Sequence, residues 1–471
     1  MSDILELSAS TQAARIADGT LSAADLMAAT LERIAAVNPQ VNAIVALADA
    51  DRLMAQAQAA DAAQPAGPLH GLPVAVKDLA NVAGMITSMG SPAFAGNVAA
   101  ADDLMVARMR AAGAIFIGKT NTPEFGLGSH TFNPVHGTTA NPYDLSRSAG
   151  GSSGGAAVAL ACRMLAVADG SDMMGSLRNP AAWGNVYGMR PSWGRVPGEP
   201  LGDMYLHPLA TSGPMARSPG DLALLLDVQS GPDPRQPFTL PPLATRAALQ
   251  APVRGRRIGW LGDWGGAYRF EPGLVDLTAR ALATFEALGV TVEPVAPPMP
   301  AAQIWDAWLG LRAFANAARL APLYDNPETR AMLKPAAIWE IETGRALSGA
   351  DIQRLSALRS QWFRTAAALF DRYDALVLPS TQVWPFPADQ EYPTDITGEA
   401  MDTYHRWMEV VIPVSLIGLP CVNLPAGFGA AGLPGGMQLF GRHGDDQGLL
   451  QLAEAYHSAT DWPSRRPPPL I

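Results

Sequence analysis

One run in this 471-residue chain combines residue types that could do chemistry: Ser148-Ala149-Gly150-Gly151-Ser152-Ser153-Gly154-Gly155. Its glycines let the backbone turn tightly and approach a ligand closely. Such a loop can aim several N–H groups at one anion, although the same composition also suits an ordinary turn or linker. A second serine follows 24 residues after Ser152, in Gly170-Ser171-Asp172-Met173-Met174-Gly175-Ser176-Leu177-Arg178-Asn179-Pro180. Pro180 precedes an alanine-rich helix start, which places Ser176 near a helix N-terminus. Free N–H groups and the helix dipole favour developing negative charge there.

A serine nucleophile needs a base, usually histidine. The histidines are His70, His130, His136, His207, His405, His443 and His457. None has an evident role in the two loops, although His130 and His136 lead into the first. The G-x-S-x-G elbow fits twice, centred on Ser152 and on Ser153, but it requires an apolar strand immediately before it. Asn141-Pro-Tyr-Asp-Leu-Ser-Arg147 is not one. Lysine is the other candidate. Of 33 Lys and Arg residues only three are lysine: Lys77, Lys119 and Lys334. Lys77 ends the apolar run Leu72-Pro-Val-Ala-Val76, where desolvation would lower the amine's pKa toward neutrality. Arginine could not serve, because guanidinium does not deprotonate in proteins. A salt bridge to Asp78 is the competing reading of Lys77.

Positioning these groups requires a scaffold with strands and helices in alternation. Ser22 offers a helix cap, followed by Leu26, Met27, Leu31, Ile34 and Val37 at helical spacing. An alanine-rich helix is expected over about 50–63, making residues 1–65 a helical layer. Residues 72–78 read as a buried strand, 102–114 as a helix and 115–120 as a strand. A further strand–helix–strand unit spans 256–295, and later strands are expected at 373–380 and 419–428. This rhythm predicts an α/β fold, one large domain over 1–471 with a mixed sheet flanked by helices. Within it, 66–200 is the expected catalytic core, and 133–200 reads as loops. Residues 300–410 are expected to be helical and to supply a substrate pocket, with Trp305, Trp308, Trp339, Trp362, Trp384 and Trp407 among them. The proline-rich piece 231–252 is a linker candidate, and the tail from 462 reads as extended.

HGLPVAVKD, GKTNTPEFG, NPYDLSRSAGGSSGG and DMMGSLRNPA occur in this order, with 75 and 24 residues separating Lys77, Ser152 and Ser176. Together with GLPCVNLPAGF and GLPGGMQLFGR, they make the chain resemble the amidase signature family over nearly its whole length. The resemblance implies a single α/β domain that hydrolyses a carboxamide through a Ser–cis-Ser–Lys triad. It implies Ser176 as nucleophile, Ser152 as the bridging cis-serine and Lys77 as terminal base. The backbone N–H run Met173, Met174, Gly175 and Ser176 becomes the oxyanion hole, with Gly126 beside the acyl group. Ser153, Asp172 and Arg178 become supporting residues. For Asp172 and Arg178 the competing reading is a surface ion pair. The family commonly has glycines where this chain has Met173-Met174, and a positive φ at the second of these would strain methionine. No metal or organic cofactor is implied. Carbamates, ureas or esters are alternative substrates for the same triad. A second alternative is a glutaminase-type subunit of a tRNA-dependent amidotransferase. The aromatic-rich region suggests an apolar pocket, which suits that alternative less well.

Composition removes other classes. Charged residues are 16% and hydrophobic residues 48%, the opposite of a disordered chain. The net charge is −10, and no basic cluster exceeds an Arg–Arg pair, so nucleic acid is not an expected partner. Two cysteines, Cys162 and Cys421, form no disulfide framework and fit a reducing compartment. The acidic N-terminus does not resemble a signal peptide. No apolar run reaches the roughly 20 residues of a membrane span. A cytoplasmic monomer or homodimer acting on a small-molecule amide or carbamate is expected.

Overall fold

The computed structural model describes residues 2–471. Ser22 caps the helix Ala23–Val41, its hydroxyl accepting from the N–H groups of Ala24 and Asp25. The helix buries Leu26, Met27, Ile34 and Val37, while Asp49 caps the next helix, Ala50–Ala62. Both pack on a three-stranded sheet in the order Ile44–Val45, Ile115–Thr120, Pro73–Lys77, whose last two strands run parallel.

A mixed eight-stranded sheet forms the centre of the fold. Its order is Thr291–Pro294, Arg257–Trp260, Ala375–Pro379, Pro434–Phe440, Cys421–Phe428, Tyr187–Arg190, Thr211–Ala216, Val167–Asp172. The first three strands are mutually parallel and the remaining pairings antiparallel. Side chains alternate across the sheet as the strand period of two requires. Ala375 and Val377 enter a core shared with the helices Gly154–Ala161, Pro219–Gln229, Leu274–Ala287 and Asp446–Thr460. Leu376 and Leu378 enter a second core with Trp308, Trp362 and Trp407 on the opposite face. The two sheets meet where Lys77 N–H donates to Asp169 Oδ1 at 3.0 Å, which puts the C-terminal ends of Pro73–Lys77 and Val167–Asp172 side by side.

Residues 133–200 are more regular than their loop-like composition suggests. They contain the helices Gly154–Ala161 and Asn179–Trp183 and the strands Val167–Asp172 and Tyr187–Arg190. Glycine stands in these strands because other segments come close, the Leu177 and Ser153 side chains at Gly170 and backbone at Gly188. A Cβ on Gly188 would lie 1.9 Å from the Leu177 carbonyl oxygen, in the segment that follows Ser176. Pro434–Phe440, with its Pro-Gly-Gly start, is likewise a central strand that composition concealed. The 231–252 stretch is not a domain linker, since Thr211–Ala216 and Arg257–Trp260 on either side belong to the same sheet. The long helices after residue 300 are Ala301–Asp325, Pro335–Arg345 and Gly349–Leu369, so the helical stretch stops well short of 410. The tail begins with a helical turn, Trp462–Arg465, rather than extended chain. Among the described residues no helix is long and apolar enough to cross a membrane.

Candidate active site

The junction of the two sheets brings Lys77 against three serines. Its Nζ donates to Ser152 Oγ at 2.7 Å, Ser153 Oγ at 2.9 Å and Ser171 Oγ at 3.1 Å, with the Ser171 carbonyl at 3.3 Å. Lys77 is 1% exposed, so its head cannot reach bulk water. Among the described residues no carboxylate lies within 4.0 Å of Nζ, and the expected alternative, a salt bridge to Asp78, is not formed. Asp78 instead accepts from Ser88 N–H at 3.0 Å and Ser88 Oγ at 2.5 Å. Burial pushes the Lys77 amine down to about 7, against the opposing pull of Asp169 and then Asp172. Burial also raises the Asp169 carboxyl to about 6, although it accepts the Lys77 N–H.

Ser152 and Ser176 line one cavity of about 150 Å³, together with Gly126, Met173, Met174 and Ser171. The Gly151–Ser152 peptide is cis. Ser176 is 6% exposed, and its hydroxyl makes no hydrogen bond to a described side chain. Its backbone carbonyl accepts from Ser153 N–H at 3.2 Å, which ties the two serine loops together.

The run leading to Ser176 differs from expectation at one donor. Gly175 N–H donates to Asp172 Oδ1 at 2.9 Å, so it is committed to the protein. The N–H groups that remain for an oxyanion are those of Met173, Met174 and Ser176. The positive φ of this turn falls on Gly175, at 78°, and neither methionine is in the left-handed region. The replacement of family glycines by Met173-Met174 therefore carries no backbone strain, and both side chains stand in the cavity wall.

Asp172 and Arg178 are fully buried, not a surface pair. Arg178 grips the carboxylate with Nε on Oδ2 and Nη2 on Oδ1, both at 3.0 Å. It also donates to Ser415 Oγ at 2.6 Å, Gln438 Oε1 at 2.7 Å and the Val411 carbonyl at 2.9 Å. Arg190 adds a second guanidinium 3.2 Å from Asp172 Oδ1. Burial alone would raise the Asp172 carboxyl, but the two guanidiniums outweigh it and hold the group well below the usual carboxylate range. Asp172 also accepts from Gly175 and Leu177 N–H groups, so both sides of Ser176 hang from one ionised carboxylate.

Several functional neighbours were not anticipated from sequence. Ser171 belongs to the Lys77 cluster, and Arg190 completes the Asp172 network. Of the 300–410 region, Arg312, Arg319 and Met408 reach the cavity, and no tryptophan does. Trp305, Trp308, Trp362 and Trp407 belong to the core instead. One signal was available: Arg312 and Arg319 are seven residues apart on a helix and so share a face. Lys334 is half-buried, and its ammonium donates to the Leu127 carbonyl at 2.6 Å. Among the described residues no group of three or more His, Cys, Asp and Glu side chains could hold a metal ion.

Residues 25–450 match the family model described as Amidase. The chain is 34% identical to an acylamidase of Rhodococcus erythropolis, over 98% of this chain and 97% of that protein. It is 36% identical to the glutamyl-tRNA(Gln) amidotransferase A subunit of Thermus thermophilus, over 95% and 96%. Among solved structures, a bacterial aryl acylamidase of the amidase signature enzymes superposes with a TM-score of 0.91 at 31% identity, covering 98% of this chain and 99% of that one. The 6-aminohexanoate cyclic dimer hydrolase complexed with substrate superposes with a TM-score of 0.88 at 27% identity, covering 99% of both.

Proposed function

The chain belongs to the amidase signature family and is a hydrolase of amide C–N bonds; we propose that it works through an acyl-enzyme on Ser176, with Lys77 as base and Ser152 as proton relay. The observation that carries this reading is a buried lysine amine with no carboxylate partner, held 2.7 Å from Ser152 Oγ in the wall of the cavity that Ser176 lines. With its pKa near 7, the amine offers a lone pair at neutral pH. Ser152 passes its proton to Lys77 and takes the proton of Ser176 as Ser176 Oγ attacks the carbonyl carbon. The relay closes when substrate draws the hydroxyls together, since such contacts tighten in the Michaelis complex. Charge developing on the carbonyl oxygen is met by the N–H groups of Met173, Met174 and Ser176, each such donor being worth about 3 kcal/mol in comparable sites. The relay then runs backward. Lys77 returns a proton through Ser152 to the leaving amine, the C–N bond breaks, and Ser176 carries the acyl group. Water attacks the ester by the same relay and frees the acid.

The substrate is a small-molecule amide of the acylamidase type. A panel of aryl amides, aliphatic amides, carbamates, esters and glutamine tests this, coupled to labelling with a serine-directed phosphonyl reagent read by peptide mass. Aryl amide turnover, adduct formation on Ser176 and loss of both in Ser176→Ala are expected. An adduct on another residue, or undiminished turnover by Ser176→Ala, refutes the scheme. Carbamates or esters turned over faster than every amide would move the substrate class while keeping the triad. The likeness to amidotransferase A subunits favours a second reading, glutamine hydrolysis within a larger assembly, and turnover confined to glutamine would establish it.

A further inference from the structure

The cavity that holds Ser176 has an unbalanced charge. Its lining includes two guanidiniums, Arg312 and Arg319, and no carboxylate. The rest of the wall is Ser, Gly, Ala, Leu, Phe and Met. Arg312 is buried and has its counterion behind it: Nε donates to Glu340 Oε1 at 2.6 Å and Nη2 to Tyr404 OH at 2.8 Å. Tyr404 OH donates onward to the same Glu340 oxygen at 2.7 Å. Arg312 Nη1 rests on Met173 Sδ at 3.3 Å, beside the free N–H run. That triad is internally neutral. Arg319 is different. It is exposed at the cavity mouth, and among the described residues no carboxylate lies within 4.0 Å of its guanidinium. Its Nη2 touches only neutral oxygens, the Phe125 carbonyl and Asn316 Oδ1, each at 3.3 Å. These contacts hold the fork against the residue preceding Gly126, and they leave further N–H donors unused.

We propose that Arg319 is an anion subsite of the substrate cavity, and that the preferred acyl group carries a terminal carboxylate: the substrates are monoamides of short dicarboxylic acids. This rests on the amidase reading of the Ser176 cavity and specifies its substrate class. A planar fork with unused donors matches a carboxylate bidentately. The same lining disfavours an α-ammonium on the acyl group, because no carboxylate in the cavity wall could pair with it. A glutaryl group therefore fits where a γ-glutamyl group, identical but for that ammonium, fits less well. Arg312, already paired with Glu340, contributes local field rather than a second fork.

Chromogenic p-nitroanilides with succinyl, glutaryl, adipoyl, pentanoyl and γ-glutamyl acyl groups provide the test, read as kcat/KM. The best of the three acid-bearing anilides is expected to exceed pentanoyl and γ-glutamyl by about 10- to 100-fold, the range of one charge-assisted contact. Its KM should rise with added salt while that of pentanoyl stays level. Arg319→Met should bring the acid-to-pentanoyl ratio down about tenfold or more, and Arg319→Glu should invert it. Arg319→Lys should retain part of the ratio, which separates lost charge from a disturbed fold. A wild-type enzyme that turns over pentanoyl as well as every acid-bearing anilide overturns the proposal. So does a ratio unmoved by Arg319→Met. Calorimetric titration of glutaryl and pentanoyl p-nitroanilide into Ser176→Ala reads the preference without turnover. If the acid binds tighter there and no anilide is hydrolysed by the parent enzyme, the catalytic scheme fails while the subsite stands. Equal binding of the two removes the subsite alone.

Discussion

Replacing Lys77 with methionine should abolish activity and, at neutral pH, stabilise the fold. The amine's pKa falls from its ordinary 10.5 to about 7 because the folded chain buries it. A group whose folded pKa is depressed in this way binds a proton in the unfolded chain that the folded chain does not hold. Stability therefore rises with pH between about 7 and 10.5, is lowest and level below 7, and is free of the penalty above 10.5. At about 1.36 kcal/mol per pKa unit, burying Lys77 costs the wild-type enzyme about 4–5 kcal/mol at pH 7 and below. Methionine matches the length of the apolar stem and carries no such cost. It also removes the donor shared by Ser152, Ser153 and Ser171, at about 1 kcal/mol for each hydroxyl that finds no new partner. The net gain at pH 7 is then about 1–3 kcal/mol. The discriminating quantity is how the difference between variant and wild type changes with pH, because the lost hydrogen bonds cancel from it. Urea unfolding followed by tryptophan fluorescence at pH 7, 8, 9 and 10 should show the advantage of Lys77→Met shrinking by about 3–4 kcal/mol across the series. In parallel, kcat/KM of the wild-type enzyme should climb about tenfold per pH unit up to about 7 and then level. A stability difference that does not change between pH 7 and 10 would mean that Lys77 is not a neutralised amine. An acidic limb centred near 10 would mean the same.

Asp169→Asn keeps an acceptor for the Lys77 N–H but removes the largest charge that supports the ammonium, so the acidic limb of the pH–rate profile should move to lower pH. A limb that stays in place would remove Asp169 from the control of Lys77. Asp172→Asn strands two buried guanidiniums and should lower unfolding stability by about 3–5 kcal/mol, with kcat falling because Gly175 and Leu177 lose a shared anchor. Stability within about 1 kcal/mol of wild type would contradict the buried network. Gly175→Ala forces a side chain to φ 78° and puts its Cβ 2.8 Å from Asn179 Oδ1 and 3.0 Å from Val411. At a cost of about 1–2 kcal/mol the turn shifts, and kcat should fall at least about tenfold as Ser176 moves off line; an unchanged kcat and melting temperature would show that the turn tolerates a Cβ.

What the sequence made legible follows from distance along the chain. The serine loops and Lys77 stood out because each is marked by its own neighbours: glycines around Ser152, a proline after Ser176, an apolar strand before Lys77. The strands at 73–77 and 115–120 were legible for the same reason, as apolar runs ending in polar residues, and 421–428 as a largely apolar run. The strands at 167–172 and 187–190 were not, because their glycines answer to groups packed against them from elsewhere, the Leu177 and Ser153 side chains at Gly170 and the Leu177 carbonyl at Gly188. The same limit hid the arginines of the site. Arg312 meets Met173 across 139 positions of sequence, and Arg178 meets Gln438 across 260. No local pattern carries such a pairing.

The three lysines show how far local reading goes and what geometry adds. All three turn inward: Lys119 donates to the Ala80 carbonyl and Lys334 to the Leu127 carbonyl. A carbonyl oxygen can only accept, so it supports an ammonium and offers nothing to the lone pair of a neutral amine. Lys77 faces the hydroxyls of Ser152, Ser153 and Ser171, which can donate as well as accept. Among the three, Lys77 alone has partners that can donate to the lone pair left when a proton departs, by turning a hydroxyl around. A burial-depressed pKa therefore does not by itself mark the base, since burial depresses all three. Reversible partners mark it, and one of them, Ser152, is the hydroxyl through which the proposed relay to Ser176 runs.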